Sequence, residues 1–422
     1  MSQITIIGSG IAAIAAALEA ERKGAQVTII RGRPGSTALS SGAWDIAGNP
    51  LRHPDDSWHT PTSPRDNIQQ LLKWNPHHPY AHLQRQVGDL ASFLAQGIAM
   101  VTETLNYPLA GSLDQGFLAL TPAGTLKLTG FVPKSGAAGN FLTLSSASLL
   151  IIGIKDLNTC HPKSAAKVLS RRSGLPVQTA EIEFPEPYGS PFELAQKIEG
   201  EWLELFCQKV AQHCQQYHPT HVILPPVIGL ETTGQILARL HETTGIPCFE
   251  TLSLPPSVPG LRLQKSIDRF LNSGADKNRK VMTGQVVGFE ATTGRITKLH
   301  VHQGDQELQL ATEQIILASG KYLSGGLRKE AGFIEPIFHL PITPSGPVFS
   351  GKVVEKKFLA NHELFSVGIQ TNDQLQPVDE RNNIVYQNLR VAGSLLAGYN
   401  PAVDHSGMGV AVGSGLLAGR LA

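Results

Sequence analysis

The chain has 422 residues, 41% of them hydrophobic, which is enough to fill a sizeable core and exceeds one ordinary domain. Only 16% are charged, with 35 Lys+Arg against 34 Asp+Glu, so no broad field exists to hold nucleic acid or anionic lipid, and a small molecule or a protein partner is the expected ligand class. The cysteines, Cys160, Cys207, Cys214 and Cys248, contain no Cys-x-x-Cys pair, so their spacing suits neither an iron–sulfur cluster nor structural zinc, and no metal is expected.

No uninterrupted run of about 18 apolar residues is present, so no membrane span is expected. The best candidate, Phe141 to Ile154, is broken by Thr143, Ser145, Ser146 and Ser148. The amino terminus lacks a basic segment and a cleavage signature, which points to a cytoplasmic protein.

In chain order, Ile4 to Ile7 reads as a short buried strand that runs straight into Gly8-Ser9-Gly10-Ile11-Ala12-Ala13. Ile11, Ile14, Ala15 and Leu18 then recur at helical spacing, Gly24 stops the helix, and Val27 to Ile30 makes a second strand. This is one complete βαβ unit. From Arg52 to Asn67 the texture turns to His, Pro, Asp, Ser and Thr, read as a loop leaving the first domain. Ala91 to Leu105, Leu149 to Ile154, Phe192 to Tyr217 and Val222 to Leu224 follow as helical and strand-like pieces of an inserted α/β domain, 56–249. Thr251 to Gly260 leads back, and Leu261 to Ser273 is a helix. Val281 to Glu290 and Arg295 to Val301 form a hairpin around Thr292-Thr293-Gly294. The strands Gln314 to Leu317 and Leu389 to Ala392 and a helix from Ser406 to Leu421 close the chain. The expected fold is a discontinuous Rossmann-type α/β domain, residues 1–55 and 250–422, carrying the insert.

In a strand–glycine–helix unit the first glycine permits the tight turn, the second lets backbone approach a phosphate, and the third position needs a small side chain for packing. Gly8, Gly10 and Ala13 meet these needs, with Ser9 between the glycines. Amides at the helix start and the positive end of its dipole would hold a phosphate. The late strand ending in Gly393-Ser394 resembles the return strand of glutathione-reductase and fumarate-reductase flavoproteins, with Ser394 in place of their acid. Gly407, Met408 and Gly409 would turn amides toward the pyrimidine edge of a flavin, and Gly409 and Gly413 would leave a smooth helix face. Ser41-Gly42 and Gly320 would put small backbone beside the cofactor. Arg31 stands where an acid normally accepts from the adenosine ribose, which favours FMN over FAD and also offers a cation to a phosphate.

The glycine unit, Ser40-Ser41-Gly42, Leu254-Pro255-Pro256-Ser257-Val258-Pro259-Gly260 with Arg262 beyond it, Ala318-Ser319-Gly320 and Ser324-Gly325-Gly326-Leu327 occur in one order. In this the chain resembles the B-subunit family of anaerobic glycerol-3-phosphate dehydrogenase, over most of its length. The resemblance implies oxidation of sn-glycerol 3-phosphate to dihydroxyacetone phosphate. It further implies an FMN protein working with an FAD-containing A subunit and a membrane-bound iron–sulfur C subunit, peripheral to the inner face of the cell membrane, with electrons passing to quinone for fumarate or nitrate respiration. For that chemistry His405, just before the last glycine turn, is the candidate base, and Arg262 the candidate phosphate clamp. Lys321 and His339 are alternates.

Overall fold

A computed structural model describes residues 2–48, 63–273, 278–330, 332–343, 353–357 and 362–422. The expected loop from Arg52 lies outside these as far as residue 62. The chain divides into two compact units, one of Met1–Thr37, Asp45–Asn106 and Ser266–Ala422, the other of Ala38–Trp44 and Tyr107–Lys265.

The first unit is built on five parallel strands in the order Arg279–Thr283, Gln26–Arg31, Gln3–Ile7, Gln314–Leu317, Leu389–Val391. Gln3–Ile7 is central, and four of its five residues are buried, as an Ile- and Thr-rich run in a doubly covered parallel sheet requires. The helix Ile11–Arg22 that follows is alanine-rich, and Ala13, Ala15, Ala16 and Ala17 are fully buried. Such small side chains admit a close neighbour, and the terminal helix Gly407–Leu421 supplies it. A Cβ at Gly415 would lie 2.3 Å from the Ala12 carbonyl oxygen, and one at Gly419 2.3 Å from that of Ala16.

Three helices, Pro64–Trp74, Pro79–Val87 and Leu90–Thr104, belong to this unit and not to the insert in which their residues were expected. Packing explains the difference. Leu83 and Leu94 fill the space where Gly413 has no side chain, and Leu416 fills the space over Gly97. These apolar faces are buried against the terminal helix, which is far away in sequence.

The expected strand Val281 to Glu290 is two strands. The Gly284 amide donates to the Arg31 carbonyl oxygen (3.0 Å), continuing the parallel sheet, and Gln285–Thr292 then pairs antiparallel with Arg295–Gln303. The turn falls at Thr293 and Gly294, both at positive φ (51° and 72°), as a two-residue hairpin demands.

The second unit holds four parallel strands in the order Cys248–Glu250, His221–Leu224, Leu149–Ile154, Val177–Ile182, connected by helices. Leu149–Ile154 is buried at all six positions. The expected Phe192 to Tyr217 helix breaks at Gly200 into Pro191–Glu199 and Leu203–Tyr217. Residues 251–265, expected in the cofactor domain, belong here because Val258 is part of the core around Ile152, Leu194 and Phe206. Ala38–Trp44 joins this unit through the Trp44–Phe131 backbone pair and a bond from the Ser253 amide to the Ser41 carbonyl oxygen (2.9 Å).

Candidate flavin site

The Gly8–Gly10 turn stands at the carboxyl-terminal edge of the first unit's sheet. Gly8 has φ +124°, and a Cβ there would lie 2.2 Å from the Ala318 carbonyl oxygen, so both conformation and close approach exclude other residues. Gly10 is different. Its φ of −80° suits any residue, and a Cβ would meet only Thr37 Oγ1, at 3.3 Å; what a side chain would fill is the space before the helix. The Ile11–Arg22 helix begins with no side-chain cap and no acid in its first turn, which leaves its positive end to an anion. Ala13 is fully buried beneath it, and Ser9 is half-buried.

Ser319 Oγ is buried and has no hydrogen-bond partner among the described residues, while the Ser319 amide lies 3.1 Å from the Cβ position of Gly8. An orphaned hydroxyl beside a phosphate turn is what a bound polar group would satisfy. Gly320 (φ +73°) follows, with Ser394 Oγ 3.9 Å from its Cβ position. Gly393 (φ +75°) has a Cβ position within 2.8 Å of the Ala12 Cβ, and its amide donates to Ser414 Oγ (2.8 Å). The structure thus brings Gly8, Ser9, Gly10, Ala13, Gly320, Gly393 and Ser394 to one sheet edge. These residues fit a flavin nucleotide: an uncapped helix start for phosphate, an unsatisfied hydroxyl, and backbone without side chains where a planar group must approach.

Other expectations need correction. The amides of Met408 and Gly409 both donate to the Asp45 carbonyl oxygen (3.1 Å each), so this helix start is already occupied. Gly409 makes room for the Tyr80 hydroxyl, which donates to the Ile46 carbonyl oxygen (2.7 Å), and Gly413 for Leu83 and Leu94. The small residues of this helix serve packing, and Gly407 rests near Pro401.

Arg262, expected as a phosphate clamp, is buried in the second unit. Its Nη1 and Nη2 donate to both oxygens of Glu250 (2.6 and 2.8 Å), and its Nε donates to the Gly229 carbonyl oxygen (2.8 Å). A guanidinium so committed is a structural cross-link. Ser41 and Gly42 also lie in the second unit, lining a small cavity with Phe117, Ser135, Gly136 and Thr251.

Arg31 ends its strand as expected, but its Nη2 donates to Asp268 Oδ1 (2.8 Å). Asp268 lies 237 residues further along, on the Val258–Asn272 helix, and no local pattern marks it.

A buried polar cluster precedes the terminal helix. His405 adopts φ +46° and ψ +49° after the short helix Pro401–Asp404, with Nδ1 3.9 Å from Asp45 Oδ2. His78 Nε2 lies 3.2 Å from Ser406 Oγ and 3.8 Å from Asp404 Oδ2. Burial pushes the His78 imidazole down to about 3 and lifts the Asp404 carboxyl to about 6. Tyr399 packs edge-on against His78, and Lys321 Nζ lies 5.5 Å from the Tyr399 ring centre while donating to the Phe365 carbonyl oxygen (2.6 Å). Burial pushes the Lys321 amine down to about 7. Sequence reasoning found His405 and named Lys321; it missed Asp45, His78 and Asp404, which carry no motif. No contact among the described residues joins His339 to this cluster.

Residues 3–410 match the family described as FAD binding domain, and the chain belongs to that family. Its class is therefore the flavin-dependent oxidoreductases. Within it the expected resemblance is borne out. The chain is 26% identical to the probable B subunit of anaerobic glycerol-3-phosphate dehydrogenase from Halobacterium salinarum, over 100% of this chain and 97% of that protein. It is 27% identical to the anaerobic glycerol-3-phosphate dehydrogenase B subunit of Vibrio cholerae, over 97% of this chain and 93% of that one. Among solved structures, 3-ketosteroid Δ1-dehydrogenase from Sterolibacterium denitrificans matches with a TM-score of 0.40 and 12% identity, over 99% of each chain.

Proposed function

We propose that this chain is the flavoprotein B subunit of a quinone-linked anaerobic glycerol-3-phosphate dehydrogenase, oxidising sn-glycerol 3-phosphate to dihydroxyacetone phosphate. The observation that carries the reading is the convergence of an uncapped helix start, Gly8, Gly10 and the orphaned Ser319 hydroxyl at one sheet edge, in a chain similar end to end to proteins of that name. When bound, a flavin supplies the acceptor for the hydride that leaves C2 of the substrate. His405 takes the C2 hydroxyl proton, and the Asp45 carboxylate near its Nδ1 favours the imidazolium that results. Lys321, at the end of the Gly320 turn, is the alternative base.

Among the described residues no helix is long and apolar enough to cross a membrane. In this reading electrons leave through partners, an FAD-containing A subunit and a membrane-bound iron–sulfur C subunit that hold this chain at the inner face of the membrane and feed fumarate or nitrate respiration. Of the two flavins, the missing acid at Arg31 favours FMN, whereas the carboxylate of Asp268 beside Arg31 supports FAD. The commitment of Arg262 to Glu250 favours one second reading, a flavin-binding scaffold that does not itself oxidise substrate.

Anaerobic mixing of the isolated chain with sn-glycerol 3-phosphate tests the proposal. Bleaching of the flavin absorbance supports oxidation by this chain; an unchanged flavin in a chain that still activates its partner supports the scaffold. Bleaching by other hydroxy acids but not by glycerol 3-phosphate would indicate a fumarate-reductase-like dehydrogenase of another small anion.

A further inference from the structure

His405 adopts a left-handed backbone, which a residue bearing a Cβ keeps only where its surroundings hold it. Both of its chain neighbours approach one imidazole. His78 Nε2 lies 3.2 Å from Ser406 Oγ and 3.8 Å from Asp404 Oδ2, and His78 and Ser406 are both fully buried. Geometry fixes where the proton of that imidazole sits. His78 is the N-cap of the helix Pro79–Val87, and its Nδ1 accepts from the Tyr80 amide (3.1 Å), so Nδ1 carries no proton and Nε2 does. A neutral ring of this tautomer donates in one direction, and Ser406 Oγ stands there. Ser406 can accept because it does not cap the helix it precedes. The amides that such a serine usually serves, those of Met408 and Gly409, donate to the Asp45 carbonyl oxygen instead.

The same helix start holds the other side of His405. The Tyr80 hydroxyl donates to the carbonyl oxygen of Ile46 (2.7 Å), the residue after Asp45, whose Oδ2 lies 3.9 Å from His405 Nδ1. His78 and Tyr80 thus tie the turn that bears His405 and the segment that bears Asp45 to one point, and all of these residues belong to the first unit. We infer that His78 is a positioning residue: by donating its Nε2 proton to Ser406 it fixes the Asp404-His405-Ser406 turn, and with it the angle at which the His405 imidazole meets Asp45. The inference rests on the reading above, in which His405 takes the hydroxyl proton of the substrate. The titratable groups that face His78 are Tyr80, His82, Tyr399 and Asp404. Of these, Asp404 is committed to its own short helix, where Oδ2 accepts from the Asn400 amide (2.8 Å). A second proton on His78 would have to enter at Nδ1 and break the bond from Tyr80, and burial opposes it as well. His78 therefore stays neutral and holds its direction while His405 changes charge.

The test is stopped-flow bleaching of the flavin by sn-glycerol 3-phosphate in the full-length chain, together with NMR of the histidine rings against pH, the His405 signal being assigned through His405→Asn. His78→Asn keeps an N-cap acceptor for the Tyr80 amide but has no donor long enough to reach Ser406, whereas His78→Gln offers an amide N–H near the position of Nε2. His78→Asn is expected to lower the limiting bleaching rate about 10- to 100-fold with little change in the half-saturating substrate concentration, and to move the pH at which His405 titrates. Its flavin content and melting temperature should stay close to wild type. His78→Gln should recover part of the rate. Ser406→Ala should reproduce the loss seen in His78→Asn, and the double variant should be no slower than either alone. A wild-type rate and an unchanged His405 titration in His78→Asn would overturn the assignment. So would a loss of rate that His78→Gln does not recover and Ser406→Ala does not share, which would leave His78 a helix cap. If the wild-type flavin is not bleached, the reading of His405 as the base fails, and the NMR decides the positioning by itself: a His405 titration moved by both His78→Asn and Ser406→Ala upholds it, and any other result overturns it.

Discussion

Replacing Arg262 by alanine separates a structural cross-link from a substrate clamp. The Arg262 side chain is 7% exposed and that of Glu250 2%, and the substitution removes three donated bonds, two to Glu250 and one to the Gly229 carbonyl oxygen. What remains is a buried carboxylate held by the Ile228 amide (2.8 Å). Breaking a buried pair from one side costs roughly 3–5 kcal/mol, because the surviving charge is neither solvated nor paired. At about 2–4 °C per kcal/mol for a unit of this size, the melting temperature should fall by roughly 10 °C. Replacing both partners by apolar residues, Arg262→Met with Glu250→Leu, should recover most of that loss, since well-packed hydrophobic residues often equal a buried ion pair. The assay is thermal unfolding followed by circular dichroism, with flavin content measured alongside. If Arg262→Ala melts within about 1 kcal/mol of the wild type while the concentration of glycerol 3-phosphate needed for half-maximal flavin bleaching rises about tenfold or more, the guanidinium is a ligand group and the structural account fails.

Gly10→Val should abolish flavin retention with a native circular dichroism spectrum, because Gly10 has ordinary backbone angles and an open position, whereas Gly8→Ala should lose the fold as well, against the Ala318 carbonyl oxygen; full flavin occupancy in Gly10→Val would remove the amino-terminal turn from the site. His405→Asn should slow flavin bleaching by about 100-fold or more with little change in substrate affinity, as expected for loss of a general base. If His405→Asn is instead near normal and Lys321→Met abolishes an ionisation near pH 7 in the bleaching rate, the base is Lys321, whose amine burial pushes to about 7. Stability against pH should report the buried cluster. Asp404, lifted to about 6, contributes stability that is fully present below its unfolded pKa and lost as pH rises through about 6. His78, pushed down to about 3, does the opposite, its contribution vanishing as pH falls from the ordinary histidine range toward 3. The two oppose each other between about pH 4 and 6, so Asp404→Asn should make stability rise more steeply with pH in that window than in the wild type; equal slopes in urea titrations would show that Asp404 is not desolvated.

The amino acid sequence by itself determined the βαβ unit and its phosphate turn, since strand, glycine turn and helix are contiguous and each rests on local rules: β-branched burial, the φ of Gly8, and alanine-rich periodicity. It also carried the family resemblance, because the glycine unit, Ser40-Ser41-Gly42, the Leu254 to Gly260 segment, Ala318-Ser319-Gly320 and Ser324 to Leu327 stand in one order along the chain. The tertiary structure decided what small residues and charges are for. Gly409 and Gly413 read from the sequence as a flavin-facing surface, and only the presence of Tyr80, Leu83 and Leu94 over them shows a packing face. A lone arginine in sequence has no partner, and Glu250 meets Arg262 only because a strand and the following helix fold back on one another. Asp268 reaches Arg31 across 237 residues, a distance over which no periodicity or motif carries information, so the carboxylate at that strand end could be seen only in three dimensions.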